Sequence, residues 1–417
     1  MKKAPSPLVS LIPIVVLVLL LFATIRTFGS DALSGGSQVS LLTTTAICIL
    51  IGMVFYKIPW KDYELAITNN IAGVATAIII LLIIGALSGI WMISGVVPTL
   101  IYYGMQIIHP SFFLASTCII CALISVMTGS SWTTIATIGI ALMGIGKAQG
   151  FEDGWIAGAI ISGAYFGDKI SPLSETTILA SSITDTPLFR HIRYMMITTV
   201  PSLIITLIIF TVAGLSHDAS NTQHIAEVAT ALNEKFHITP WLLIVPVATG
   251  ILIARKVPSI VTLFLSTLLA GVFALIFQPE LLQEISGVAV SGFHSLFKGL
   301  MMTVYGATNL HTDNAVLTDL IATRGMAGMM NTIWLILCAM CFGGAMTASG
   351  MLGSITSIFV RFMKKTVSVV GATVCSGLFL NLTTADQYIS IILTGNMFRD
   401  IYAKKGYESC LLSRTTE

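Results

Sequence analysis

The stretch "PLVSLIPIVVLVLLLFATIRTF" carries an uncharged, mostly apolar run from Leu8 to Ile25. Crossing about 30 Å of hydrocarbon as a helix takes roughly 20 mostly apolar residues. Comparable runs recur at Val39–Phe55, Ile71–Ile93, Phe112–Met127, Ile192–Gly214, Trp241–Ala254, Ile260–Phe277, Met329–Ser349 and Val367–Leu382. Weaker, polar-interrupted ones lie at Thr133–Gly146, Trp155–Phe166 and Tyr388–Phe398. Backbone polar groups in lipid must be paired within the segment, and runs of this length do that as helices. The expected fold is an all-α polytopic membrane protein with about 10–12 transmembrane helices, some of them discontinuous. From Gln283 to Arg324, where an amphipathic piece meets the polar run "GATNLHTDNAVLTD", the pattern assigns no span.

Charge is scarce. Only 10% of the 417 residues are Asp, Glu, Lys or Arg, against about a quarter in soluble domains. The basic residues form small groups between apolar runs, which excludes a nucleic-acid interface. Lys2/Lys3, Lys57/Lys61, Arg190/Arg193, Arg255/Lys256, Arg361/Lys364/Lys365 and Arg399/Lys404/Lys405 mark cytoplasmic ends by the excess of Lys and Arg on that side. The N-terminus is then expected on the cytoplasmic side of the membrane. The pairs Cys118/Cys121 and Cys338/Cys341 have CxxC spacing but sit in apolar helical runs without His or charged neighbours, so they read as packing. No Walker A or catalytic motif occurs, and neither enzymatic activity nor a cofactor is expected.

A shift of 255 positions lays "SGIWMISG", ending at Gly95, on "GGAMTASG", ending at Gly350. One inserted residue later, "TGSSW" (Thr128–Trp132) falls on "TADQY" (Thr384–Tyr388). The loop after Gly95 lacks Lys and Arg whereas the loop after Gly350 has three, so the repeats should be inverted, as in secondary transporters. The expected division is an N-terminal transmembrane repeat at 1–214, an extracytoplasmic loop at 215–238 and a C-terminal repeat at 239–417. The mate of Gly167 and Asp168 would fall near 423 and 424, so the second repeat is expected to be incomplete.

The block "YFGDKISPLSETT" places Asp168, Lys169 and Glu175 after an apolar run. Gly167 and Pro172 are poor helix-interior residues, so the helix should unwind there and free carbonyls. Asp168, Ser171, Ser174, Glu175 and Thr176 add hard oxygens suited to a small hard cation, with Lys169 as an internal counter-charge. Carboxylates in such a setting also exchange protons. A solvated loop with Ser174 capping the next helix is an equal alternative. "TGSSWTT" offers Ser130, Ser131, Thr133 and Thr134 as cavity-lining hydroxyls, and "NLTTADQY" offers Thr384, Gln387 and the intramembrane carboxylate Asp386. Asn309, His311, Asp313 and Asn314 offer a further polar set in "TNLHTDNAV", which an external polar loop explains equally well.

Through "SGVVPTLIYYG", "TGSSWTT", "ALMGIG", "AGAIISGAYFGDKISPLSETT", "HIRYMM", "GMLGSI" and "NLTTADQY" the chain resembles the NhaC family of Na+/H+ antiporters. The resemblance implies secondary exchange of Na+ for H+ through an inverted-repeat membrane fold. It points to Asp168, Ser171, Glu175 and Asp386 as ion- and proton-binding positions, with Na+ held at Asp168, Ser171 and Glu175. Family members similar to malate/lactate antiporters give the alternative, a small organic acid moved with Na+ and H+. The remaining expected partners are the lipid bilayer and, as an open oligomeric state, a second copy of the chain.

Overall fold

The computed structural model describes residues 5–216, 222–255, 257–290, 292–308, 310, 312, 318, 321–355, 366–384 and 387–417. Among them the regular structure is helical and no strand occurs. In chain order the helices are α1 (Pro7–Phe28), α2 (Gly36–Tyr56), α3 (Trp60–Gly73), α4 (Ala75–Ile93), α5 (Val96–Ile107), α6 (Phe113–Thr128), α7 (Ser131–Thr134), α8 (Ile140–Ala148), α9 (Asp153–Ile170) and α10 (Glu175–Ile183). They continue as α11 (Leu188–Leu215), α12 (Thr222–Lys235), α13 (Ile244–Ala254), α14 (Ser259–Phe277), α15 (Pro279–Ser286), α16 (Phe293–Tyr305), α17 (Met330–Ala348), α18 (Thr366–Thr384), α19 (Gln387–Lys404) and α20 (Ser409–Thr416). A π-helical turn, Ile135–Gly139, joins α7 to α8.

Among the described residues seven helices are long and apolar enough to cross a membrane, and the pair Glu227–Lys235 and Pro240–Ala254, bent by 91°, forms a broken span or a re-entrant loop. The protein is therefore a multi-pass membrane protein. The interrupted runs are helical as well: Trp155–Phe166 lies inside α9 and Tyr388–Phe398 inside α19. The segment expected as a loop at 215–238 contains α12, whose Val228 and Leu232 are fully buried.

The repeat is visible in the element boundaries. α4 and α17 both end one residue before a Ser-Gly pair, and the glycines Gly95 and Gly350 take the same left-handed turn, φ 85° and 68°. α6 and α18 both end at a threonine, Thr128 and Thr384, and the next helices begin three residues later at Ser131 and Gln387. Beyond them, "GFED" (Gly150–Asp153) and "GYES" (Gly406–Ser409) form the same turn: Gly150 and Gly406 have φ 83° and 71°, and Glu152 and Glu408 both have φ −67°, ψ 142°. The sequence signal at this second match, a glycine, an aromatic and a glutamate in one register, was legible but weak.

The chain folds into two compact units, one of Met1–Ile78, Ile178–Tyr194 and Met330–Glu417, the other of Ile79–Thr177 and Met195–Met329. In the second unit α4 to α9 share one apolar core with α13 to α16, built on Trp91, Phe113, Leu142, Ile160 and Leu263. In the first, α17 packs against α2 and α3, burying Cys48, Tyr63 and Phe342, and a smaller cluster of Val369, Phe398, Tyr402 and Leu412 joins α18, α19 and α20. Packing recurs with the repeat. Gly85 of α4 lies against the backbone of Gly325, and its mate Met340 in α17 accepts a hydrogen bond at 3.4 Å from Asn70 Nδ2, the position equivalent to Gly325.

The 178–194 segment is fastened within the first unit. His191 is fully buried between Ser413 Oγ (Nδ1, 2.9 Å) and Glu417 Oε2 (Nε2, 2.7 Å). Arg190 pairs with Glu408, Arg399 pairs with Asp185, and Arg414 lies over the Tyr194 ring.

Candidate functional site

The site grows from one close helix pair. Gly163 and Gly167 lie four apart on α9, and a Cβ built on them would stand 2.1 Å from the Cys118 carbonyl oxygen and 2.4 Å from that of Ala122, both on α6. Small residues at this spacing let helix backbones touch in a membrane. Ser125 adds a bond across the pair, its hydroxyl donating to Ala164 O at 2.5 Å. Gly167 is thus a packing residue inside an intact helix, which corrects the expectation that it breaks one. The break comes at Ser171–Ser174, after the last helical residue Ile170.

Here the carbonyls freed at the helix end find partners at once. Asp168 O accepts from Ser171 N–H at 3.2 Å, and Lys169 O accepts from the Thr177 hydroxyl at 3.2 Å. Ser171 Oγ donates to Val126 O at 2.8 Å and accepts from Leu173 N–H at 3.2 Å, so this hydroxyl ties the turn to the end of α6. Ser174 caps α10, accepting from Thr177 N–H at 3.5 Å and sharing a hydrogen bond with the Thr176 hydroxyl at 3.1 Å. Glu175 opens α10 and is exposed, while Lys169 is half-buried.

The turn lies directly on the "TGSSW" break. Gly129 has φ 67°, and a Cβ there would come within 2.6 Å of the Leu173 backbone. Glycine meets both demands at one position, a left-handed conformation and a touching chain. Past it Ser130 caps α7, accepting from Thr133 N–H and from the Thr133 hydroxyl, each at 3.2 Å. Thr134 Oγ1 bonds back to Ser130 O at 3.1 Å. These hydroxyls therefore close the helix start on itself.

Ser131 does something different. Its N–H (3.2 Å) and its hydroxyl (2.8 Å) both donate to Asp168 Oδ2. The carboxylate of α9 is seated at the start of the discontinuous helix, where unpaired N–H groups and the backbone dipole favour negative charge. Of the predicted residues, the structure brings Asp168 and Ser131 together, surrounds them with Ser130, Thr133 and Thr134, and uses Ser171, Ser174 and Thr176 to shape the adjoining turn. Gln387 begins α19 and is half-buried. Asp386 and the Thr384 side chain lie outside the described residues, as do His311 and Asp313. Ser125, Gly129, Gly163 and Thr177 carry structural roles that the sequence reading did not assign, although the GxxxG spacing of Gly163 and Gly167 was there to be read.

Among the described residues no group of three or more His, Cys, Asp or Glu side chains could hold a metal ion.

A half-buried carboxylate held at a helix break in a multi-pass protein is the arrangement expected of an ion transporter. Residues 163–417, which include this carboxylate, match the model of the Na+/H+ antiporter family. The chain belongs to the Na+/H+ antiporter family. Similar proteins include the Na+/H+ antiporter NhaC of Bacillus subtilis (strain 168), 35% identical over 90% of this chain and 80% of that one. The malate-2H+/Na+-lactate antiporter of the same organism is 36% identical over 91% of this chain and 78% of its own length. The NhaC antiporter of Alkalihalophilus pseudofirmus is 37% identical over 89% and 78%. Membership of the antiporter family makes the chain a transporter.

Proposed function

We propose that this protein exchanges Na+ for H+ across the bacterial cytoplasmic membrane by alternating access, with its N-terminus inside and Asp168 as the carboxylate that Na+ and H+ occupy in turn. The observation that carries the reading is the double hydrogen bond from Ser131 to Asp168 at a broken helix. An anion fixed at a helix start is available to a cation or a proton without a further charge having to be buried. Ser171 and Glu175 are proposed as additional cation ligands and Asp386 as a further ion- or proton-binding position, on the strength of the family block. Thr384, Gln387 and the hydroxyls of the "TGSSW" break are proposed to line the cavity. Inverted orientation of the repeats, the 1–214 and 239–417 division and homodimerisation remain proposals drawn from the sequence.

The second reading is Na+- and H+-coupled exchange of a small organic acid, prompted by the malate/lactate relative. Such a substrate needs a seat for its own carboxylate. The helix start at Ser131 already holds Asp168, which favours a cation as cargo. In everted vesicles containing the protein, Na+ should collapse a preformed proton gradient, and Asp168→Asn should remove the response; normal exchange by that variant would rule out Asp168 as the shared carboxylate.

A further inference from the structure

We propose that Ser131 is a positioning residue for exchange: its hydroxyl holds Asp168 Oδ2 in the anionic, cation-accepting state and so sets the pH range over which Na+ can displace the proton. The inference rests on the reading of Asp168 as the shared carboxylate and adds to it the residue that tunes that carboxylate.

Three observations single Ser131 out. Both of its donors converge on one oxygen, the hydroxyl at 2.8 Å and the N–H at 3.2 Å. The residue is 3% exposed, so its hydroxyl does not trade this acceptor for bulk water. Its neighbours are committed elsewhere: Ser130 Oγ accepts from Thr133, Thr133 O and Thr134 O accept from the Thr137 hydroxyl, and Thr134 Oγ1 is bound to Ser130 O. The geometry is also held from behind, since the touching backbones at Gly163 and Gly167 and the bond from Ser125 to Ala164 fix α9 against α6. A small movement of Asp168 away from Ser131 is opposed by that packing.

The surroundings contain few other charges that could set the same property. α6 packs on Gly163 of α9 through the Cys118 carbonyl and the Cys121 Cβ and carries no charged residue. α7 and the π turn carry none, and α8 carries Lys147, which pairs with Asp153 at the opposite end of α9 at 3.2 Å. α9 itself contributes Tyr165 and Lys169, and the following turn leads to Glu175. Lys169 and Glu175 are retained in every Ser131 variant, so a change caused by Ser131 is read against the same set of charges.

A hydrogen bond donated to a charged form favours that form, and its removal favours the protonated one. The full-length protein is reconstituted into proteoliposomes, and initial rates of Na+-driven proton movement are recorded against pH and Na+ concentration. Ser131→Ala should move the pH of half-maximal exchange about one unit to the alkaline side, the size expected for losing one hydrogen bond to a charged group. At a fixed acidic pH the Na+ concentration for half-maximal rate should rise about tenfold, with the rate at saturating Na+ retained. Ser131→Thr, which keeps the hydroxyl, should return the parent profile, and Ser131→Cys, a weaker donor, should lie between. Should Ser131→Ala fail to fold, the Cys variant carries the test. Parent-like pH and Na+ profiles in the Ala or Cys variant, beside an inactive Asp168→Asn, would overturn the role of Ser131 alone. Exchange surviving in Asp168→Asn would instead overturn the site on which it rests.

Discussion

Glycine decides the geometry at the residue scale more than the charged groups do. Asp168 is where it is because Gly163 and Gly167 let α9 touch the α6 backbone, and because Gly129 lets the 171–174 turn lie on the next break. Gly163→Ala would force a methyl group to within 2.1 Å of the Cys118 carbonyl oxygen unless the helices separate. Overpacking of this kind costs about 1–3 kcal/mol. The variant should unfold at a lower temperature in detergent and show weaker Na+ affinity, as Asp168 is drawn off Ser131; an unchanged melting temperature would show that the pair has slack. The acidic residues of the site were legible from the sequence because charge is rare in an apolar chain. Their roles were less so. The Ser171 hydroxyl also donates to Val126 O and accepts from Leu173 N–H, contacts that depend on the three-dimensional path of α6.

Broken helices are the working elements. Most of their boundaries could be read in advance: Ser-Gly and Gly-Ser-Ser interruptions in apolar runs are helix ends on elementary grounds, and α4, α6 and α7 stop or start at them. The π turn at Ile135–Gly139 could not, because "IATIG" has the composition of ordinary helix and the altered hydrogen bonding is imposed by its surroundings. The left-handed glycines allow an internal comparison. Gly129 and Gly350 have nearly equal φ, 67° and 68°, but among the described residues a Cβ at Gly350 meets only Pro5 Cδ at 3.8 Å whereas one at Gly129 meets the Leu173 backbone at 2.6 Å. Both alanine variants should lose about 1–2 kcal/mol for the left-handed backbone. Only Gly129→Ala should lose markedly more and also lower exchange; equal melting temperatures for the two would mean that the contact with Leu173 is of no consequence.

At the scale of the whole molecule, element boundaries recur about 255 positions apart, and each compact unit joins segments distant in the chain. α4 with its Ser-Gly turn, the α6 break, the helix beyond it and the "GFED" turn all have mates about 255 positions on, while the compact units join 1–78 to 330–417 and 79–177 to 195–329. Membrane class and helix breaks were legible because apolar length and polar interruption are local properties. The interleaving was not, since which segment packs on which is decided by side chains far apart in sequence, such as Asn70 on Met340 and Gly85 on Gly325. The matched segments also differ at the position that matters: the helix start at Ser131 holds Asp168, whereas its mate begins with Gln387. Exchange is accordingly proposed to turn on Asp168, with Asp386 as a further ion- or proton-binding position. The most direct test is uptake of radioactive Na+ into proteoliposomes of the purified protein under an outward proton gradient, with and without malate and lactate. Na+ uptake that follows the proton gradient, needs no organic acid and vanishes in Asp168→Asn is the predicted result; uptake only when an organic acid is present would contradict it.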